Sequence, residues 1–253
     1  MALSKNNYKL IKALQTKKGR QKSKLFMVEG RKSTDEFIRQ NHYVLHRLFV
    51  LDDAHYLEVD PHKLEIISPE ELKSISNLNN PDDCVALFEL SKETQVVHEG
   101  LILALDQIND PGNLGTIIRL CDWFGVNQLW CSKNTVDCFN PKVVQSTMGS
   151  LSRVELVYTD LLAEISTTDL PVYITEMDGE DIYNSSLPKQ AIIVMGNEAN
   201  GVGVELKNQI DKHLSIPRFG QAQKTESLNV AMATGIVLAE FNRQANYSKV
   251  KLK

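Results

Sequence analysis

Two short and almost purely apolar runs constrain the fold of this chain most strongly. LILALDQI at 101–108 and AIIVMG at 191–196 contain few polar positions and are short for helices. Strands that are covered on both faces have this pattern, and they occur mainly in parallel sheets flanked by helices. The second part of the chain is therefore expected to form an α/β domain.

The sequence around these runs alternates between strand and helix patterns. GTIIRLCDWFG places apolar residues on one helical face and ends at Gly125, which is typical of a helix followed by a glycine cap. Other elements are predicted as strands at 126–132, 154–158, 171–177 and 214–218, and as helices at 142–150 and 228–243. The helix at 228–243 is small or apolar nearly all round, so we expect burial on several sides, in its own core or against a second subunit.

A second alternating pattern precedes residue 92. It predicts a helix over 4–18, a basic turn at KKGRQKSK, strands at 25–30, 46–51 and 84–90, and helices at 33–40 and 69–76. Ser68 and Glu71 have the spacing of a capping box at the start of the last helix. The polar stretch 91–100 is the predicted linker. Two domains are therefore expected, 1–92 and 100–253.

Composition favours a soluble protein of the cytoplasm. No apolar run approaches the roughly 18–20 residues of a membrane helix. The N-terminus is polar and basic, unlike a secretory signal. The four cysteines, Cys84, Cys121, Cys131 and Cys138, show no CxxC pairing and no histidine at zinc-ligand spacing. We therefore expect buried free thiols and no metal site.

Charge is distributed unevenly along the chain. Residues 1–32 contain ten lysines and arginines against Glu29 alone, a local net charge of +9, which leaves −13 for the remainder of a chain with net charge −4. A basic end on an acidic body is a common pattern in proteins that bind phosphate backbones. The alternative is a solvated helix face that keeps the protein soluble.

Three polar segments follow predicted strands in a fixed order. They are NLGTIIR at 113–119, GNEANG at 196–201 and, after Ile216 and Pro217, SLNV at 227–230. In open α/β sheets, ligands bind beyond the carboxyl ends of the strands. The three segments are therefore expected to contribute to one site.

Each segment alone has a structural explanation as well as a functional one. Arg119 could bind a phosphate with its fork of donors or pair with Asp122. Glu198 could lie in a turn, bind a basic group or hold Arg119. Ser227 has the position of an N-cap, whereas Asn229 is a poor helix former in the first turn of an apolar helix and needs a polar partner. The glycines around Glu198 do not form GxGxxG, which argues against a nicotinamide-dependent oxidoreductase.

Together, N-x-G-x-x-x-R, G-N-E-x-x-G and I-P…S-L-N-V resemble the three motifs of the SpoU family of RNA ribose 2′-O-methyltransferases, in the SPOUT superfamily. The resemblance covers roughly residues 100–245, and KLFMVEGRK within residues 1–90 is similar to the family's N-terminal substrate-binding domain. The implied fold class is a C-terminal α/β trefoil-knot catalytic domain with a smaller N-terminal α/β substrate-binding domain. The implied reaction transfers a methyl group from S-adenosylmethionine to a ribose 2′-hydroxyl of RNA, in a homodimer.

The resemblance also implies roles for individual residues. The catalytic set would be Asn113, Arg119, Glu198, Ser227 and Asn229. S-adenosylmethionine would be bound by Gly196, Asn197, Gly201, Ile216, Pro217 and Leu228. The RNA contacts predicted in the basic segment are Lys17, Lys18, Arg20, Lys22, Lys24 and Arg31.

Arginine has been considered as the base in this family, but a guanidinium with a pKa above about 12 is a poor base near neutral pH. We therefore expect Arg119 mainly to stabilise the developing alkoxide and to bind the phosphate. The third motif departs from the usual I-P-M, because Arg218 follows Pro217 and the loop before Ser227 is longer. The basic N-terminal domain favours rRNA over tRNA as the substrate. The alternative function is a catalytically inactive RNA-binding protein that retains the fold.

Overall fold

The computed structural model describes residues 3–81, 83–90, 94–197, 199–220 and 227–247. In chain order, its first elements are α1 (Lys5–Ala13), α2 (Lys17–Ser23), β1 (Leu25–Glu29), α3 (Arg31–Gln40), β2 (Leu45–Val50), β3 (Leu64–Ile66), α4 (Pro69–Ile75) and β4 (Cys84–Glu89). The later elements are β5 (Leu101–Leu105), α5 (Pro111–Phe124), β6 (Gln128–Ser132), α6 (Pro141–Thr147), β7 (Leu156–Thr159), α7 (Leu161–Thr167), β8 (Val172–Asp181), β9 (Ala191–Met195), α8 (Val204–Gln209), β10 (Lys212–Ser215) and α9 (Val230–Tyr247).

The chain divides into two compact units. The first contains Met1–Lys92 together with Asp137–Arg153, and the second contains Glu93–Val136 together with Val154–Lys253. The helix α6 therefore packs within the first unit, against β1, although the chain leaves the second unit to form it.

The first unit contains a four-stranded sheet in the order β1-β4-β2-β3. The strand β4 pairs antiparallel with β1 and β2, and β3 adds to β2 in parallel. Ser68 and Glu71 form the predicted capping box at the start of α4, with each side chain accepting from the other residue's backbone N–H. The predicted basic turn after α1 is wrong, because Thr16 accepts from the N–H of Gly19 and begins the short helix α2.

The second unit contains a six-stranded sheet in the order β10-β8-β9-β5-β6-β7, in which all pairings are parallel. The two apolar runs form the neighbouring strands β5 and β9, and every residue of both strands is buried. The first run leaves the sheet earlier than predicted, after Leu105. Asp106 there turns its carboxylate to the N–H of Gly203.

Some elements differ from the sequence expectation. The helices α7 and α8 and the short strand β3 were not predicted, because each is brief and their apolar residues show little periodicity over so few positions. The cysteines agree with expectation: all four are buried, and none of them forms a disulfide bond. In the described residues, no helix combines the length and the hydrophobicity that crossing a membrane requires.

Candidate active site

The helix α5 presents the first polar segment at its N-terminus. Asp110 caps the helix, with Oδ1 accepting from the backbone N–H of Asn113 at 2.8 Å, and Pro111 occupies the first turn. Proline suits this position because the N–H that it lacks would have no partner within the helix. Asn113 therefore lies in the first turn of α5.

The helix α9 begins two residues later than predicted, and Asn229 is its cap. Its Oδ1 accepts from the N–H groups of Ala231 at 3.0 Å and Met232 at 3.3 Å. Its Nδ2 donates to Oδ1 of Asn113 at 2.9 Å. The prediction that Ser227 caps this helix is therefore wrong. The polar partner expected for Asn229 is Asn113, from a segment 116 residues earlier.

The glycine-rich segment forms a tight loop after β9. Asn197 and Gly201 exchange two backbone hydrogen bonds, and Asn197 donates through Nδ2 to the carbonyl of Gln107 at 2.8 Å. A Cβ on Gly196 would lie 2.2 Å from the carbonyl carbon of Gly201, so only glycine allows this closure. Gly201 itself has φ of +66°, in the left-handed region that glycine adopts without strain. Glu198, predicted as catalytic, lies outside the described residues.

These loops border one pocket within the second unit, with a volume of about 800 Å³. All six residues predicted to bind the cofactor line it, together with Ser227: Gly196, Asn197, Gly201, Ile216, Pro217 and Leu228. Asn113, Arg119 and Asn229 are not among the lining residues. The structure thus brings the second and third segments to the pocket itself, and it ties the first segment to them through Asn113 and Asn229.

Arg119 lies on the exposed face of α5, with Thr116 and Trp123. The ion pair with Asp122 that the sequence allowed is not formed. Nothing in the described part of the chain makes a salt bridge or a hydrogen bond to this guanidinium. A charged group on a fixed helix, with no ion pair to another described residue, can bind an anion at little cost in broken contacts.

One wall of the pocket comes from β8, a strand that the motifs did not predict as part of the site. Glu176 lines the pocket and accepts from Nζ of Lys207 at 2.8 Å and from Nδ1 of His213. The other ring nitrogen of His213 bonds to the carbonyl of Ile210 at 2.7 Å. Because both partners are acceptors, the ring donates twice and carries a positive charge. The only indication of this wall in the sequence was the acidic end of the segment ITEMDGED at 174–181.

The pKa values of this cluster shift accordingly. The hydrogen bonds from Lys207 and then His213 hold the pKa of Glu176 below its usual range. The bond to Glu176 raises the pKa of His213 despite its partial burial. The cluster joins β8, α8 and β10, the elements that carry this wall. Within the residues that the structure describes, no cluster of three or more metal-ligating side chains is present.

The basic residues of the first unit divide into two groups. Lys17, Lys18, Lys22 and Lys24 are exposed. Arg31 is also exposed, although it pairs with Asp83, and this carboxylate raises the pKa of the guanidinium.

The prediction that Arg20 contacts RNA is wrong. Its side chain is only 3% exposed and is bonded to Asp137 at 2.6 Å and to the carbonyl of Leu14 at 2.8 Å. The buried guanidinium joins α2 to the segment before α6, so Arg20 has a structural role and is not an RNA contact.

Comparison with known proteins identifies both parts of the chain. Residues 100–239 match the SpoU rRNA Methylase family, and residues 5–86 match the MRM3-like substrate binding domain. A relative from Bacillus subtilis, the 23S rRNA (guanosine(2553)-2′-O)-methyltransferase RlmP, is 29% identical over 90% of this chain and 92% of its own length.

Solved structures agree. A protein from Porphyromonas gingivalis assigned to the TrmH family of RNA methyltransferases is 37% identical, with a TM-score of 0.87 over 97% of this chain and 100% of the other. An AdoMet-bound rRNA methyltransferase from Sinorhizobium meliloti is 28% identical, with a TM-score of 0.85 over 96% of both chains. The predicted fold class, an α/β trefoil-knot catalytic domain of the SPOUT type with a smaller N-terminal α/β domain, is confirmed. The chain belongs to the SpoU rRNA methylase family.

Proposed function

We propose that this protein methylates the ribose 2′-hydroxyl of a nucleotide in rRNA. The observation that carries the proposal is one pocket, in the part of the chain that matches the family, which the second and third segments line. Asn229 ties the first segment to the third. The choice of rRNA over tRNA is supported by relatives such as RlmP, which is named for a 23S rRNA guanosine, and by the exposed basic residues of the first unit.

The enzyme class and the cofactor follow from the family. The protein is an S-adenosylmethionine-dependent RNA methyltransferase, in agreement with the sequence prediction. The pocket has the composition that this cofactor requires. Ile216, Pro217 and Leu228 provide apolar surface for an adenine, and the carboxylate of Asp178 is available to a cationic amino acid moiety. Its volume of about 800 Å³ lies within the range of small-molecule sites.

In the proposed mechanism, the chain positions two reactants and stabilises charge. Backbone groups around Gly196, Ile216 and Leu228 would hold the adenine, and S-adenosylmethionine would supply an electrophilic methyl group when bound. Arg119 binds a phosphate of the target nucleotide and stabilises the negative charge that develops on the 2′-oxygen as its proton passes to solvent water. Fixing both reactants contributes on the order of 7–11 kcal/mol to lowering the barrier. A preorganised cation adds about 3 kcal/mol more.

The remaining residues of the predicted catalytic set have positioning roles in this proposal. Asn113 and Asn229 hold the start of α5 against the start of α9, which fixes the helix that carries Arg119. Ser227 faces the pocket beside Leu228 and contacts the substrate ribose. Glu198 is proposed to orient Arg119 or the RNA.

Substrate binding is proposed for residues 1–92, and methyl transfer for residues 100–253. RNA phosphates would be contacted by the exposed lysines of α2, which are Lys17, Lys18 and Lys22, and by Lys24 and Arg31. Such contacts supply affinity that decreases as the salt concentration rises, and they give little sequence preference. We place the protein in the cytoplasm, a proposal supported by four cysteines that form no disulfide bond, which suits a reducing compartment.

The protein is also proposed to form a homodimer. The helices α5 and α9 pack side by side and run in the same direction, with Asn113 beside Asn229 and Leu120 beside Gly235. Large apolar side chains remain exposed on both helices: Trp123 is 83% exposed. Met232 is 65% exposed. A second copy of this helix pair would cover them.

The function is tested by mapping ribose methylation in total RNA from a strain that lacks the gene, beside its parent. We expect one 2′-O-methyl mark in rRNA to be lost. The wild-type gene and an Arg39→Ala control should restore the mark, whereas Arg119→Ala should not. Arg39 is an exposed arginine of α3, and its partner Glu36 keeps a second ion pair with Arg153. If no mark is lost from rRNA, that substrate is wrong. If none is lost from any RNA, the inactive RNA-binding alternative is favoured.

A further inference from the structure

The mouth of the pocket carries an aromatic side chain that the proposed catalytic machinery does not use. After β10 the chain passes Ile216 and Pro217 and reaches Arg218 and Phe219, and all four residues line the pocket. Phe219 is nevertheless 82% exposed. Leaving a phenyl ring in water forgoes the free energy of its burial. A residue that borders a site in this way is therefore a candidate for contact with a ligand.

Two further side chains share this rim. Nη2 of Arg218 lies 2.7 Å from Sδ of Met177, which comes from β8 and is 56% exposed. Both residues line the same pocket as Phe219. An aromatic ring, a planar guanidinium and a polarisable thioether therefore border one mouth. All three groups can pack against the flat face of a nucleic acid base.

We propose that Phe219, with Arg218 and Met177, forms a stacking surface for the base of the unpaired target nucleotide. The inference rests on the proposed function, because methyl transfer requires the target ribose to enter the pocket. Its base is attached to that ribose, so it must lie within one nucleotide's reach of the reacting hydroxyl, at the rim. Proteins hold unpaired RNA bases mainly by stacking on aromatic rings and guanidinium planes.

The position in the sequence supports a role in substrate selection rather than in cofactor binding. Arg218 and Phe219 follow Pro217 at the point where the chain departs from the usual third motif. Of the residues whose backbone would hold the adenine, Gly196 and Ile216 come before this departure, and Leu228 follows the longer loop. Arg218 and Phe219 are not in that set. The departure from the usual third motif thus coincides with two of the three side chains of the proposed stacking surface.

The test is a kinetic comparison of Phe219→Ala, Phe219→Trp and the wild type. The substrate is deproteinised rRNA from the deletion strain, and tritium transfer from labelled S-adenosylmethionine measures the rate. We expect Phe219→Ala to raise KM for rRNA on the order of tenfold, as loss of one stacking contact does. Its Kd for S-adenosylmethionine, measured by calorimetry, should stay within about twofold of the wild-type value. If Phe219 instead stacked on the cofactor, its loss would raise this Kd by more than that. Phe219→Trp should retain a KM near the wild-type value.

Val204→Ala is the matched control, since Val204 is 72% exposed in the same unit but does not line the pocket. An equal loss of cofactor affinity in Phe219→Ala would overturn the inference and assign the ring to covering the cofactor. An unchanged KM would overturn it as well. Conversion of the protein to a monomer by this substitution would instead assign Phe219 to a contact between copies. If the wild type transfers no methyl group to any RNA, the proposed function is wrong. The proposed stacking surface is then wrong as well, because it depends on that function.

Discussion

The side-chain amide of Asn229 donates to Oδ1 of Asn113 over 2.9 Å, while Oδ1 of Asn229 caps the helix α9. One side chain therefore both begins a helix and ties it to the first turn of α5. This explains why a poor helix former lies at the start of an otherwise apolar helix. It also connects the pocket loop before α9 to the helix that presents Arg119.

The two roles of Asn229 can be separated by substitution. Asn229→Ala removes the cap and the bond to Asn113, so we expect the free energy of unfolding to fall by roughly 1–2 kcal/mol and methyl transfer to fall as well. Asn229→Asp keeps an acceptor for the cap but removes the donor, and it should lose activity with a smaller loss of stability. Urea unfolding and initial rates measure these effects. Full activity in Asn229→Asp would show that the bond does not position α5.

Arg119 should affect the reaction and not the fold. It is exposed and makes no ion pair within the described residues, so we expect Arg119→Ala and Arg119→Lys to keep the wild-type urea midpoint. Loss of a cation that stabilises developing charge should lower kcat/KM by about 100-fold or more in Arg119→Ala. Arg119→Lys keeps the charge but loses the planar fork, so it should recover only part of the rate. A lysine variant with near-full kcat would contradict a dedicated role for the guanidinium.

Arg20 and Lys22 form a matched pair on one short helix, with opposite expectations. Arg20→Ala leaves Asp137, itself only 17% exposed, without its cation, and should destabilise the protein by roughly 3 kcal/mol. Lys22→Ala should leave stability unchanged and weaken RNA binding. The slope of log affinity against log salt should become shallower by about one unit per phosphate contact removed. Equal effects of the two substitutions on the salt slope would contradict the assignment of Arg20 to structure and Lys22 to RNA binding.

The sequence was sufficient where the pattern is local. The apolar runs predicted β5 and β9, and Ser68 with Glu71 predicted the start of α4. It failed where the partner is distant. The burial of Arg20 depends on Asp137, 117 residues away, and nothing local distinguishes this arginine from its exposed neighbours. For the same reason, the sequence could indicate that Asn229 needs a partner but could not identify it.

The wall of the pocket was missed for a related reason. Glu176 looks like an ordinary exposed acid at the end of a strand, because the alternation of β8 does not show which side chains face a ligand. Its partners Lys207 and His213 come from α8 and β10, and their convergence appears only in three dimensions.

The pair formed by Glu176 and His213 predicts a pH dependence of stability. Because the pKa of His213 is raised on folding, its contribution is complete below the ordinary histidine value of 6.5 and is lost as pH rises through the folded pKa. Because the pKa of Glu176 is lowered, its contribution is complete above the ordinary value of 4.5 and is lost as pH falls through the folded pKa. Both contributions are therefore present between pH 4.5 and 6.5. Urea midpoints across pH should fall on the alkaline side in the wild type, and less so in His213→Gln.

The exposed apolar side chains of α5 and α9 predict the oligomeric state. Trp123 and Met232 lie on two helices packed together, and a second copy would remove both from water. Burial of two such side chains contributes on the order of 3–6 kcal/mol per subunit, and a buried carboxylate would oppose it. We expect the wild type to sediment as a dimer and Trp123→Glu and Met232→Glu as monomers that keep the wild-type circular dichroism. Val204→Glu adds a charge at an exposed apolar position away from these helices and should remain dimeric. A wild-type monomer would contradict the proposed dimer, and dimers that persist in both variants would place the interface elsewhere.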